Sequence, residues 1–239
     1  CISRLILKFL LIVIFIIIKG NKIKQSMKRL VILSLALLIF ACQNEYEEIP
    51  FIKIEQFGSY NSYVYKGDQN SKVELNEYSN LKDFYALGIL ENQQGVITII
   101  NSEPYVSNIG GDLKNRDQVF DQNACFFVSS VMELWTSVNV TDVFNSKENF
   151  DAFLIEKAIE QEIDPEQPFP FLLEGKVSEL NWKVLGVNPN TENVDAERFL
   201  EGTLGNERVQ IIGFFDKNNK NQIAEGDNQV NMNFIAKNG

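Results

Sequence analysis

Histidine is absent from all 239 residues, cysteine occurs three times, and 22 basic residues face 32 acidic ones. Without histidine the chain lacks the commonest general base near neutral pH and the commonest nitrogen ligand for a transition metal. No G-x-S-x-G elbow, P-loop, G-x-G-x-x-G or C-x-x-C pair occurs. Nucleophile-elbow, phosphate-cradling, dinucleotide and dithiol chemistries therefore have no motif to rest on. The negative balance, −10 over the whole sequence, repels phosphates. Nucleic-acid binding, which needs Lys and Arg clusters to neutralise the backbone, is disfavoured.

What is present starts with an export pattern. Residues 1–26 begin on Cys1, and their uninterrupted apolar run from Phe9 to Ile18 falls short of the ~20 residues that span a bilayer. They read as translated upstream sequence. From Met27 the pattern is that of a signal peptide (27–41): Lys28 and Arg29, the apolar LVILSLALLIF, then Ala41 before Cys42. A cysteine immediately after the cut resembles a bacterial lipoprotein signal, which implies lipidation of Cys42, a tether over 42–50, and anchoring to the cell envelope or surface. Removing residues 1–41 takes away seven of the 22 basic residues and none of the 32 acidic ones, leaving −17. Partners are expected to be neutral or cationic, with the membrane met only through the lipid. Cys125 is then the only thiol, and its setting in ACFFVSSV reads as a small buried hydrophobe.

About 190 residues remain for the body, enough for one large or two small domains. Runs rich in Val, Ile, Phe and Tyr, broken by Gly and Asn, read as strands: SYVY, GVITIIN, CFFVSSVMELW, LEGKVSEL, VQIIGFF and QVNMNFIA. One helix is expected from about Lys147 to Ile163, with Asn145 and Glu148 patterned like a capping box, a stripe of Phe150, Phe153, Leu154 and Ala158, and Pro165 stopping it. A second, shorter helix is expected over Leu75–Phe84. The fold class is α+β: an N-terminal sheet lobe over 51–145 of mixed and antiparallel strands, then the helix and a C-terminal sheet lobe over 146–239.

DKNNKNQIAEGD, Asp216 to Asp227, has calcium-loop positions at Asp216, Asn218, Ile223 and Asp227. Lys220 and Asn221 stand where an oxygen ligand and a glycine are wanted, so a polar loop joining two strands is the stronger reading. In QVNMNFI, alternate residues of a strand share a face, which puts Asn231 and Asn233 side by side.

Taken in order, four stretches resemble the acetolactate decarboxylases, zinc enzymes that convert acetolactate to acetoin. NSYVYKGDQNSKVEL is similar to that family's opening strand and glycine turn, and FYALGILENQQGVITIINSEPYVS to its L-G segment and hairpin. PFPFLLEGKVSELNWKVLG is similar to its central strand pair, and the stretch from Gly202 to Ile235 to its later strands. The resemblance implies zinc held by three histidines, two of them in an H-x-H where this chain has Asn231 and Asn233. It also implies a pocket containing Val96, where relatives carry Glu, and Lys183, about where a substrate-binding arginine falls. A lysine keeps that charge without the two-pronged grip.

An Asn carbonyl oxygen suits harder ions than zinc, so no cofactor is expected and the relative is expected to be inactive. The third histidine would lie beyond FIAKNG, whose closing Asn-Gly signals a hairpin; the C-terminal lobe therefore reads as truncated. Two alternatives stand beside this. One is a working decarboxylase with an unusual site, including a Schiff base at Lys183 if burial lowers that lysine's pKa. The other is a surface binding module for a small neutral ligand or a 2-hydroxy-3-oxo acid. A homodimer is implied by the resemblance alone.

Overall fold

The computed structural model describes residues 52–108, 118–140, 144, 146–185, 199–220 and 222–236. The expected signal peptide, Cys42 and the tether lie outside these residues, as does the FIAKNG terminus beyond Ala236. In chain order the elements are β1 (Ile54–Phe57), α1 (Tyr60–Tyr65), β2 (Val73–Glu74), β3 (Phe84–Leu90), β4 (Gly95–Ile100), β5 (Glu103–Asn108) and β6 (Asn123–Val131). Then follow α2 (Lys147–Glu160), β7 (Phe169–Leu185), β8 (Phe199–Phe215) and β9 (Val230–Ala236). The first sheet runs β1-β6-β3-β4-β5 with β2 also on β6, the second β7-β8-β9, and every described pairing is antiparallel. Among these residues no helix is long and apolar enough to cross a membrane.

The inner strands explain the apolar runs. β6, β3 and β4 are flanked on both sides, and each feeds two cores by strand alternation. Tyr85 and Leu87 face one cluster, shared with Phe126 and Val128 and with Ile212, Phe214 and Ile235 of the second sheet. Phe84, Ala86 and Leu90 face the other, with Phe127, Ile97 and Ile99, capped by Leu75 and Tyr78. Phe126, Phe127 and Phe214 are 0% exposed, and each such burial contributes roughly 1.5–3 kcal/mol. The first cluster is therefore what presses the two sheets together.

Helix α2 lays Leu154 and Ala158 on Phe169, Phe171 and Phe215 of the second sheet, with Phe150 and Phe153 at the margin. Its N-cap is Ser146, whose Oγ accepts from the Asn149 N–H at 3.2 Å, and not Asn145, which lies outside the described residues. It ends at Glu160, before Pro165, because Glu162 turns to φ 61. On β8, Gly213 admits the Phe171 ring: a Cβ there would lie 2.1 Å from it.

Four other expectations are corrected. SYVY belongs to α1, because the Ser59 Oγ caps the Ser62 N–H at 3.1 Å and the helix buries Tyr63. Leu75–Phe84 holds a single 3-10 turn over Leu75–Tyr78 before β3 begins. β6 stops at Val131, short of Trp135. Phe169–Leu185 is one strand of 17 residues rather than a pair, and it pairs with β8 along its length except at Ser178.

Candidate functional site

Strand β9 is where the second sheet reaches the first. Asn231 is paired with Phe214, Asn233 with Ile212 and Ile235 with Gln210. The two asparagines thus share the face that carries buried Phe214, Ile212 and Ile235. An N-x-N on that face places two amides where only apolar neighbours would otherwise sit, so each needs a partner. Asn233 donates from Nδ2 to the Ile97 carbonyl on β4 at 2.8 Å, a bond from sheet to sheet. Asn231 donates from Nδ2 to the Ile223 carbonyl at 2.7 Å, a bond from strand to loop.

That loop joins β8 to β9 and is built on Asn219. Its Nδ2 donates to the carbonyls of Ala224, Gly226 and Asn228 at 3.0, 3.3 and 2.7 Å. Its Oδ1 accepts from the N–H groups of Gln222, Ile223 and Ala224 at 2.9, 3.0 and 3.4 Å. A side-chain amide thus gathers the carbonyls that a bound cation would otherwise need. The Asp216 carboxylate accepts from the Asn218 N–H at 2.9 Å. The Tyr60 N–H donates to the Gln222 carbonyl at 2.7 Å, fixing the loop to α1.

Between this loop, α1, β3, β4 and β9 lies a cavity of about 230 Å³, and it brings together all four pocket and metal-position residues singled out in the sequence: Val96, Lys183, Asn231 and Asn233. Val96 faces it from β4, paired with Ile89 and Ser107. Lys183 is exposed and directly opposite Glu201, while its neighbour Val184, also lining the cavity, alternates onto the other strand face. The burial that a Schiff-base lysine needs is thus missing at Lys183.

Sequence reasoning missed Tyr60, Tyr63 and Glu225, which line the same cavity. The Tyr60 and Tyr63 rings meet edge to face at 5.0 Å. Both hydroxyls feel the Glu225 charge and each other. Burial, reinforced by the Glu225 charge, pushes the Tyr60 hydroxyl up to about 12. Burial raises Tyr63 further still, with the neighbouring Tyr60 adding to it. Both phenols thus stay protonated. The S-x-x-S at Ser59 was the signal for this helix, and reading SYVY as a strand hid it. Cys125 is buried beneath, its Sγ 3.3 Å from the Leu90 carbonyl, and burial pushes its thiol up to about 11. It is no nucleophile in this state.

No protein-family model matches the chain, and no curated protein sequence does. Solved structures do. α-Acetolactate decarboxylase from Bacillus subtilis strain 168 superposes with a TM-score of 0.57 at 17% identity, covering 77% of this chain and 75% of that one. Acetolactate decarboxylase from Bacillus subtilis subspecies spizizenii gives 0.57 at 16%, covering 77% and 76%. A Staphylococcus aureus protein of unknown function similar to α-acetolactate decarboxylase gives 0.53 at 13%, covering 77% and 75%. The fold is that of the acetolactate decarboxylases.

The zinc that the resemblance implies does not fit the residues described at the positions it assigns. Among the described residues no group of three or more His, Cys, Asp and Glu could hold a metal ion. The two amides at the expected ligand positions have their nitrogens on protein carbonyls, and a carboxamide oxygen is a poor zinc donor.

Proposed function

We propose that this chain keeps the acetolactate decarboxylase fold as a non-catalytic binding module, lipid-anchored at Cys42 and displayed at the cell envelope. The observation that carries this reading is the engagement of Asn231 and Asn233 as structural donors to Ile223 and Ile97, in a chain with no histidine. Decarboxylating a 2-hydroxy-3-oxo acid requires an electron sink on the ketone oxygen. Neither asparagine supplies one, and exposed Lys183 lacks the burial for an imine. What remains is a half-open cavity of about 230 Å³ whose lining mixes polar and apolar side chains, a concave space for a small ligand.

The test is acetoin release from acetolactate by the purified chain with zinc, manganese or calcium added, with metal content measured per chain. No acetoin above the buffer rate and no stoichiometric metal are expected. Acetoin release that is abolished by Asn231→Ala or Asn233→Ala would overturn the reading, because those residues would then be holding a metal. The anchor is tested separately: labelled fatty acid should enter the wild-type chain and not the Cys42→Ser variant.

A further inference from the structure

The hydrogen bonds around the cavity have a direction. Asn231 and Asn233 turn their amide nitrogens onto the carbonyls of Ile223 and Ile97. Their Oδ1 atoms are then the polar atoms left for an occupant, since the two ends of a carboxamide point apart. The Tyr63 and Tyr60 rings meet edge to face at 5.0 Å, and the Glu225 charge acts on both hydroxyls. Each phenol oxygen can accept as well as donate, and the Glu225 side chain is exposed at the cavity edge. Aromatic faces from Tyr60, Tyr63 and Phe126 and apolar walls from Leu87, Ile89 and Val96 complete the lining.

We infer that this cavity receives a small primary ammonium ion with an apolar body. Its head would be held by the Asn231 and Asn233 oxygens and the Glu225 carboxylate, against the aromatic rings. The deduction deepens the binding-module reading and rests on it. An ammonium group brings three donors and no acceptor, the complement of the two lining asparagines whose own N–H groups are already given to backbone carbonyls. The ring faces add cation–π attraction, and the acidic chain as a whole raises the local concentration of cations. A carboxylate would instead meet two carbonyl oxygens and Glu225. Two other lining side chains carry donors, Asn228 and Lys183; Lys183 stands directly across the β7–β8 ribbon from Glu201, an acidic neighbour for its charge.

Calorimetric titration of the full chain with isoamylamine, isoamyl alcohol and isovalerate compares a cation, a neutral molecule and an anion on one apolar body. Isoamylamine is expected to bind at least about tenfold tighter than isovalerate, a difference of about 1.4 kcal/mol. Glu225→Gln is expected to weaken the amine about three- to fivefold, the range for an exposed charge pair, and to leave the alcohol unchanged. Glu156→Gln, on the exposed face of α2, controls for the general negative field and should change nothing. Isovalerate binding as tightly as the amine would overturn the inference. So would an amine affinity indifferent to Glu225→Gln, equal sensitivity to Glu156→Gln, or no amine binding at millimolar concentration. Acetoin release measured on the same sample keeps the two questions apart. Isovalerate preference without acetoin sinks the ligand class alone, and acetoin production sinks the binding-module reading.

Discussion

Asn233→Ala removes the bond from β9 to the Ile97 carbonyl, and Ile97 is 0% exposed. A neutral hydrogen bond contributes about 1 kcal/mol net, and a buried group left unpaired costs about 1–3 kcal/mol. The expected loss is therefore about 1–3 kcal/mol, at about 2–4 °C in Tm per kcal/mol for a body of this size. Asn233→Asp is the sharper probe, because it keeps the shape and exchanges the donor for an oxygen facing the Ile97 oxygen. The new carboxyl should have a folded pKa raised above its unfolded ~3.9. The sign follows: its contribution is most favourable below the unfolded pKa, where a protonated oxygen donates to Ile97, and is lost as pH rises through the folded pKa. Urea unfolding at pH 4 and pH 7 should place the Asp variant near wild type at the lower pH and below the Ala variant at the higher. An Ala variant within about 0.5 kcal/mol of wild type, the ordinary surface range, would refute the argument. So would an Asp variant no worse than Ala at pH 7.

Asn219→Ala removes the side chain that binds three carbonyls and three N–H groups of its own loop; a loss of about 2–4 kcal/mol and protease cutting between β8 and β9 are expected. Gly213→Ala drives a Cβ to 2.1 Å from the Phe171 ring, whereas Gly175 has nothing within 4 Å; thermal melts should show a cost of about 1–3 kcal/mol for the first and under about 0.5 for the second. Asp151 is buried with Oδ1 unpartnered, and burial, only partly offset by Lys147, raises its pKa. Its folded-state contribution is favourable below 3.8 and lost as pH rises through the raised value. Asp151→Asn should therefore stabilise by about 0.5–1 kcal/mol at pH 7 and by nearly nothing at pH 3, read from unfolding curves. Asn231→His with Asn233→His should lose about 2–4 kcal/mol and still hold less than one zinc per chain by metal analysis.

Period-two alternation located most of the strands because burial on one or both faces is written directly into residue order. β3, β4 and β9 are legible as FYALGIL, GVITII and VNMNFIA. SYVY misled because its β-branched and aromatic residues are answered by a single serine cap and by the burial of Tyr63, a tertiary contact with Phe126 at 5.4 Å. The site was half legible. Val96, Lys183, Asn231 and Asn233 could be chosen from order along the chain. Tyr60, Tyr63 and Glu225 could not, because α1 and the 216–228 loop meet β9 only through bonds such as Tyr60 to Gln222 and Asn231 to Ile223. Nothing local in NNKN marks Asn219 as the residue on which the loop turns.

Asn231 and Asn233 serve stability and recognition with different atoms of one group. The nitrogen of each closes a structural bond, one to the loop and one to the opposite sheet, and in the ammonium-binding inference the oxygen is the atom offered to the cavity. Reversing either amide would set oxygen against a carbonyl and present N–H to the ligand, at a cost of about 1–3 kcal/mol for the unpaired buried group. That cost is a bias of about five- to 150-fold in favour of the acceptor-out arrangement. The polarity of the pocket is therefore fixed by folding before any ligand arrives. An imidazole cannot divide its roles so simply: a nitrogen committed to a carbonyl carries the proton, and only the other is free to bind. The chemistry offered to an occupant thus follows from which backbone oxygens β4 and the 216–228 loop bring to β9.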